Sequence, residues 1–339
     1  MNEFSTLRNL SYQKFLLSSS IYPSDKNTVQ NLIVSRLPIH DEPLGKAAAH
    51  HFSKPGKMLR AKMAMHGADA LQVNQTAAIR WAAAVEVLHN ASLVHDDICD
   101  GDMVRRGMPS VWAQYGKDTA LALGDWLISL SFELAAEAAY MGQTPKLVSV
   151  LSHHMAATTT GQALEFAIDS YPSWSKYMDI STGKTAPLFV ASAEGIAHLA
   201  GRDDVIIPLQ RFFTAAGGCY QIANDMLNVI GKDGAASPAS DLLRRAPNAV
   251  IVMFRTTLDR DHASDFDKWL ASGTEHNALN WQTRLRRSPA LSMTASALMS
   301  MFDEAESSSV ALPSDCQAII TPIKAQLRHV CRDLVADNS

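Results

Sequence analysis

The chain has 339 residues, 47% of them apolar and 19% charged, with a formal net charge of −4. That is enough chain for one large core or two ordinary domains, and a near-neutral balance with no basic stripe argues against nucleic-acid binding. Alanine, leucine and methionine are abundant, glycine and proline are sparse, and no alternating run stands out, so the composition points to an all-helical protein.

Cys99, Cys219, Cys316 and Cys331 show neither a CxxC pair nor zinc-ligand spacing. They read as reduced structural cysteines. The first twenty residues lack the continuous apolar core of a signal peptide. The most apolar stretch, TALALGDWLISLSFELAAEAAYM, is interrupted by Asp125 and Glu133 and reads as a buried helix rather than a membrane span. The expectation is a soluble, cytoplasmic protein.

Residues 1–45 are polar and then weakly helical, a peripheral segment ahead of the core. KPGKMLRAKMAMHGADAL comes next, where Pro-Gly is expected to open a helix carrying Lys57 and Arg60 on adjacent turns. WAAAVEVLHNASLVH is then apolar at helical spacing and runs into DDICDGDMVRR. Asp96 and Asp100 project from one face of that helix end. Carboxylates crowded at the mouth of an apolar wall repel one another and lose hydration, so a cation should neutralise them. Magnesium suits the place, being held by one or two carboxylates, waters and substrate phosphate oxygens. Arg105 and Arg106 add fork-shaped cations suited to phosphate, so the stretch reads as a diphosphate site. His89, two turns before Asp96 on the same face, is either a satisfied core histidine or a ligand.

Residues 113–141 and 146–170 read as long bundle helices, the second with Gly161-Gln162 in its middle. In YMDISTGKTAPLFVASAEGIAHLAG, Lys184 stands in an apolar helix, which is rare without a partner. RFFTAAGGCYQIANDMLNVIGK comes next and contains Gln221, Asn224, Asp225 and Asn228. An amide oxygen can ligate a hard cation but brings no charge, so an ion there is weakly held. GKDGAASPASD is turn-rich and reads as a loop that closes over the site. Arg244 and Arg245 come after it, either as functional cations or as a solvated pair, and beyond Thr257 no motif is found.

SLVHDDICDGDMVRRG resembles the first aspartate-rich motif of the trans-isoprenyl diphosphate synthases, the polyprenyl synthetase family. The resemblance continues through separated motifs, in order, over roughly residues 55–248. It implies one all-α domain over residues 1–339, a single-domain bundle of long helices around a central cavity of the isoprenoid synthase type, working as a homodimer. By resemblance, up to three Mg2+ ions sit on Asp96 and Asp100 and, more weakly, on Asn224, Asp225 and Asn228, with Asp97 in support. Lys57, Arg60, His89 and Arg106 would grip isopentenyl diphosphate. Lys184 with Thr185, Gln162, Gln221 and Arg105 would face the allylic prenyl diphosphate, and Gly161 would permit a kink at the cavity wall. The catalytic group would be Asp96, Asp97, Asp100, Lys184 and Asp225.

The sequence departs from the family in the second acidic motif, where two carboxylates are replaced by Asn224 and Asn228. It departs again at Ala246 and Asn248, where the family has Lys and Thr. The side chains ahead of the first motif, Ala91 and Ser92, are small, with Leu88, Ala84 and Trp81 successively deeper and Trp81 as the candidate floor of the tunnel, so the resemblance implies products of C20 or longer. Two other readings stay open. Asn224, Asp225 and Asn228 also match half of the metal motif of class I terpene cyclases, with Lys232 where the final Glu belongs; that scaffold also admits a different acceptor. A non-enzymatic regulatory subunit is the third reading.

Overall fold

Three consecutive alanines, Ala82 to Ala84, let neighbouring backbones approach from every side, and the helix that contains them is the centre of the molecule. The computed structural model describes residues 26–166, 170–232, 238–272 and 277–336. Its elements begin with α1 (Lys26–Arg36), α2 (Pro43–Phe52), α3 (Leu59–Ala70) and the central α4 (Gln75–Asp100). A small hairpin of β1 (Val104–Arg105) and β2 (Met108–Pro109) leads to α5 (Val111–Tyr115), α6 (Lys117–Met141) and α7 (Leu147–Phe166). Next come α8 (Trp174–Leu199), α9 (Ile206–Ile230), α10 (Ser240–Arg244) and α11 (Ala249–Thr256). The chain continues through α12 (Arg260–Ser272), α13 (Ala278–Arg287), α14 (Ala290–Ser309) and α15 (Gln317–Ala336). This is the all-α bundle expected from composition.

Helix α4 packs along α6, α7 along α8, and α9 between α8 and α14. The core forms two apolar clusters that share elements. Leu188, Ala191 and Ile196 of α8 belong to the cluster around α4 and α6, while Phe189, Val190 and Ala193 of the same helix belong to the cluster around α9 and α15. Helix α3 divides in the same way, with Ala61 and Ala64 in one cluster and Leu59 and Met63 in the other. Glu137 of α6, buried, accepts hydrogen bonds from Arg80 of α4 (2.8 Å) and Arg36 of α1 (2.7 Å). Helix α6 is long and apolar enough to cross a membrane by length and composition, and 44% of its most apolar window is buried in the fold.

Local chemistry moved several expected boundaries. Pro55-Gly56 does not open a helix. Met58 has φ 47°, so α3 starts only at Leu59 and Lys57 stands ahead of it, exposed. The helix expected over 113–141 is broken at Gly116 into α5 and α6. Helix α7 runs from Leu147 to Phe166, and residues 167–169 of the stretch expected to be helical lie outside the described residues.

Helix α7 passes through Gly161 without interruption. Gly161 is the point where two backbones touch: a Cβ there would lie 2.5 Å from the carbonyl carbon of Gly183 on α8. Pro187 contributes to this crossing, since it lacks the N–H that would bond the Gly183 carbonyl four residues back. Gly161→Ala is expected to lose about 1–3 kcal/mol in urea unfolding while keeping its helical circular-dichroism signal. An unchanged midpoint would show that the two helices can part here without cost.

Candidate active site

A cavity of about 1030 Å³ opens between α3, α4, α7, α8 and α9, at the upper end of the size of small-molecule sites. At one side of its mouth α4 ends in Asp96 and Asp100, both lining the cavity. Burial first, and then the charge of Asp100, pushes the Asp96 carboxyl up to about 7, although Lys184 pulls the other way. Lys184 therefore does not fully offset the burial of Asp96, and the paired carboxylates offer a donor set that fits a hard divalent cation. Among the described residues no three His, Cys, Asp or Glu side chains form a closed metal cluster. An ion at Asp96 and Asp100 would therefore need further oxygens from water or ligand.

Asp97 does not join them. It is buried, does not line the cavity, and accepts from Arg105 Nε at 2.8 Å and, more closely, from the same guanidinium's terminal nitrogen. That ion pair fastens the β1–β2 hairpin to α4. The hairpin turns through Arg106 and Gly107 with φ of 55° and 72°, the two positive values that a tight two-residue loop demands. Arg106 tolerates the left-handed position because its guanidinium is tied down, donating to the Lys54 carbonyl at 3.0 Å and to Asn90 Oδ1 at 3.2 Å. A Cβ on Gly56 would come 2.9 Å from that guanidinium, so the Pro-Gly pair serves as a close seat for Arg106.

Lys57, Arg60, His89 and Arg106 all line the same cavity, and so does Arg105. Arg60 lies over the Phe189 ring at 4.3 Å, and its Nε is buried without a partner. Burial lowers its proton affinity, while Glu86 works against that loss. The His89 ring is held neutral, well below its ordinary range, by burial and then by Arg60 and Arg106. Cations crowded in this way form a ready anion site.

Lys184 of α8 lines the cavity opposite Asp96 and is paired closely with Glu165 of α7. Burial disfavours its charge, but Glu165, Asp96 and Asp100 outweigh burial and hold the ammonium above its usual range. Gln162 lines the wall nearby, its Nε2 buried without a partner. Thr185 Oγ1 donates to Gln221 Oε1 at 3.3 Å, and Gln221 Nε2 donates to Asp225 Oδ1 at 2.8 Å.

The far side of the mouth is different in kind. Asp225 also accepts from Tyr177 Oη at 2.6 Å and from the backbone N–H of Ala249 at 2.7 Å. Burial and the neighbouring Asp241 still push its carboxyl up to about 7. With both oxygens engaged it holds α8, α9 and α11 together and has little left for a metal. Asn228 is engaged by Ser240 and Asp241, whereas Asn224 lines the cavity with no hydrogen-bond partner among the described residues. Asn248 caps α11, accepting from Val250 N at 2.9 Å, and donates to the Asp225 carbonyl at 3.2 Å.

The loop expected to close over the site falls partly on residues 233–237, outside the described residues. Ser240 and Asp241 at the C-terminal end of that stretch, and Arg244 just beyond it, do stand at the mouth and line the cavity. Ser92 and Leu88 line the apolar part with Ile128, Met155 and Leu188. Ala91, Ala84 and Trp81 are packed in the core instead, so the expected floor at Trp81 is not part of the wall.

Sequence reasoning passed over Glu165, Glu86, Asp241 and Asp102. Glu165 could have been found, because it lies one helical turn beyond Gln162 on the same face. Asp241 becomes visible only when α10 folds back.

An all-α bundle whose cavity joins an acidic helix end to a cluster of fixed cations has the isoprenoid synthase fold. Residues 41–282 match the polyprenyl synthetase family, and the chain belongs to it. It is 34% identical over 218 residues to a geranylgeranyl diphosphate synthase of Saccharolobus solfataricus, a match covering 62% of this chain and 65% of that protein. The match thus spans less than two thirds of that relative's length. A crystal structure of a polyprenyl synthase from Caulobacter crescentus, complexed with calcium and isoprenyl diphosphate, superposes with a TM-score of 0.79 at 24% identity, covering 90% of this chain and 93% of that one. Geranylgeranyl pyrophosphate synthetase from Pyrococcus horikoshii superposes with a TM-score of 0.76 at 26% identity, covering 90% and 95%.

The two acidic elements separate by stability. Asp225→Ala strands Tyr177 Oη and the Ala249 N–H and is expected to cost about 2–4 kcal/mol. Asp96→Asn should melt higher than the wild type in the absence of divalent ions. The raised folded-state value means that the ionised carboxyl opposes folding, so this gain grows as pH rises from about 4 to about 7 and then levels off. Melting curves of both variants across that range check the pair.

Proposed function

We propose that this chain is a Mg2+-dependent trans-prenyltransferase that joins an allylic prenyl diphosphate to isopentenyl diphosphate, giving a prenyl diphosphate of C20 or longer. One observation carries the reading. A single cavity carries two differently charged ends, an acidic one at Asp96 and Asp100 beside Lys184 and a mainly cationic one where Lys57, Arg60 and Arg106 surround a neutral His89 next to Glu86, and this pairing supports two diphosphate subsites.

At the acidic subsite Asp96 and Asp100 would hold the divalent ion, which supplies charge neutralisation for the departing diphosphate. Lys184 exchanges Glu165 for a diphosphate oxygen, and Gln162 offers its unpartnered N–H. The carbon–oxygen bond of the allylic substrate breaks, its electron pair leaves with diphosphate, and an allylic cation remains. The double bond of isopentenyl diphosphate, held by Arg60, His89, Arg106 and Lys57, attacks that cation. A proton is then lost to the released diphosphate, so no protein general base is required. Asp97 and Asp225 act by fixing the frame rather than by touching a metal ion.

The growing chain lies along Ser92, Leu88, Ile128, Met155 and Leu188, where each buried methylene contributes about 0.8 kcal/mol. The enzyme is read as cytoplasmic and homodimeric, with the exposed apolar residues Leu121 and Tyr140 of α6 and Leu164 and Phe166 of α7 as candidate contact positions. The cyclase reading has less support, because the Asn228 amide is engaged by α10 and a cyclase has no use for a second diphosphate subsite.

Purified protein with an allylic diphosphate and Mg2+ is expected to form product only when isopentenyl diphosphate is added. Hydrocarbon or alcohol released without the acceptor would sink the proposal. Ser92→Phe is expected to shorten the main product, whereas Ala91→Phe, placed in the packed core, should lower the melting temperature with little effect on length. Product chromatography and melting of both variants make the comparison.

A further inference from the structure

Asn228 donates from Nδ2 to Ser240 Oγ at 2.7 Å, which a carboxylate could not do, and accepts from Asp241 N at 3.3 Å. Asn248 donates to Asp241 Oδ2 at 2.8 Å. The amides that stand in the second acidic motif and its sequel thus fasten α10. That short helix is flanked by Ala239 and Arg245 in the left-handed region (φ 56° and 61°), conformations that persist only where the surroundings over-determine them.

Helix α10 ends in Arg244, whose side chain crosses the mouth. Its guanidinium donates to Asp241 Oδ1 at 2.7 Å and to the Asp100 carbonyl at 3.2 Å, and closely to Asp102. It lines the same cavity as Asp96, Asp100 and Lys184. Three contacts leave two of the five guanidinium N–H groups for an incoming oxygen. Across from it, the α9 motif is a poor fit for a metal ion: both Asp225 oxygens already accept hydrogen bonds, Asn228 is bound to α10, and Asn224 is neutral.

We propose that Arg244 is a diphosphate-binding residue, a permanent cation that neutralises the leaving group where α9 no longer holds a metal ion. This rests on reading the cavity as a diphosphate site. A guanidinium anchored on both sides is suited to the task, since it is always charged and offers planar paired donors to phosphate oxygens. Asp102 and Asp241 keep it in place when no anion is bound.

The test uses the full chain with inorganic pyrophosphate and Mg2+ in a calorimeter. Arg244→Gln is expected to weaken pyrophosphate binding about 10- to 100-fold, and Arg244→Lys to recover only part, because an ammonium has no fork. Mn2+ bound per chain in the presence of pyrophosphate, counted by electron paramagnetic resonance, should be unchanged in Arg244→Gln and higher by one in Asn224→Asp. Undiminished pyrophosphate affinity in Arg244→Gln, or equal Mn2+ counts in wild type and Asn224→Asp, overturns the proposal. If Arg244→Gln does not fold, Arg244→Lys carries the test, with a partial loss expected and no loss overturning it. Lost affinity in a chain that shows no prenyl transfer would sustain Arg244 and remove the transferase reading. Transfer that proceeds with unaltered Arg244→Gln binding would do the reverse.

Discussion

The ion pair between Asp97 and Arg105 is what the remaining geometry hangs on. It is formed between a buried carboxylate at the end of α4 and the first strand of a hairpin only two residues deep on each side. Truncating one partner of such a pair leaves an uncompensated charge. By fixing the hairpin it sets the position of Arg106 on the cationic side. It also leaves Asp96 and Asp100 as the carboxylates at the C-terminal end of α4 that line the cavity. One interaction thus sorts five neighbouring charges into three places.

The cavity is held in electrostatic imbalance. On one side Arg60, Arg106 and a neutral His89 crowd together, with Glu86 as partial relief; on the other Asp96 is pushed toward neutrality by burial and by Asp100. Neither side gains stability from this arrangement, and both would gain from polyanionic ligands and a divalent ion. Sites prepared for charge in this way trade folded-state stability for binding strength. The offset comes from elsewhere, in the satisfied network of Asp225, Tyr177, Gln221 and Ala249 and in the paired Arg80, Glu137 and Arg36.

Much of this was legible in the sequence because it is periodic or local. The spacing of Asp96 and Asp100 predicts a shared face, and the alanine-rich run before them predicts a buried helix. Lys184 in an apolar helix predicts a partner, which the structure supplies as Glu165. What the sequence could not show depends on chain folding back over long separations. Asp97 and Asp100 look interchangeable in the text, and only the hairpin distinguishes them. The amides at 228 and 248 read as losses of charge, whereas their donor groups hold α10 in place. Trp81 reads as a tunnel floor by helical register, yet its indole donates to the Ser192 carbonyl at 3.3 Å and sits inside the core.

Helices α3 and α8 each contribute to both apolar clusters. Two such shared beams tie the clusters to one another among the described residues, which opposes widening the hollow by opening the frame. Its capacity is then governed by the bulk of individual lining groups at Ser92, Leu88, Ile128 and Met155. Selection can therefore retune what fits inside by single replacements, each felt at one depth and leaving the scaffold undisturbed.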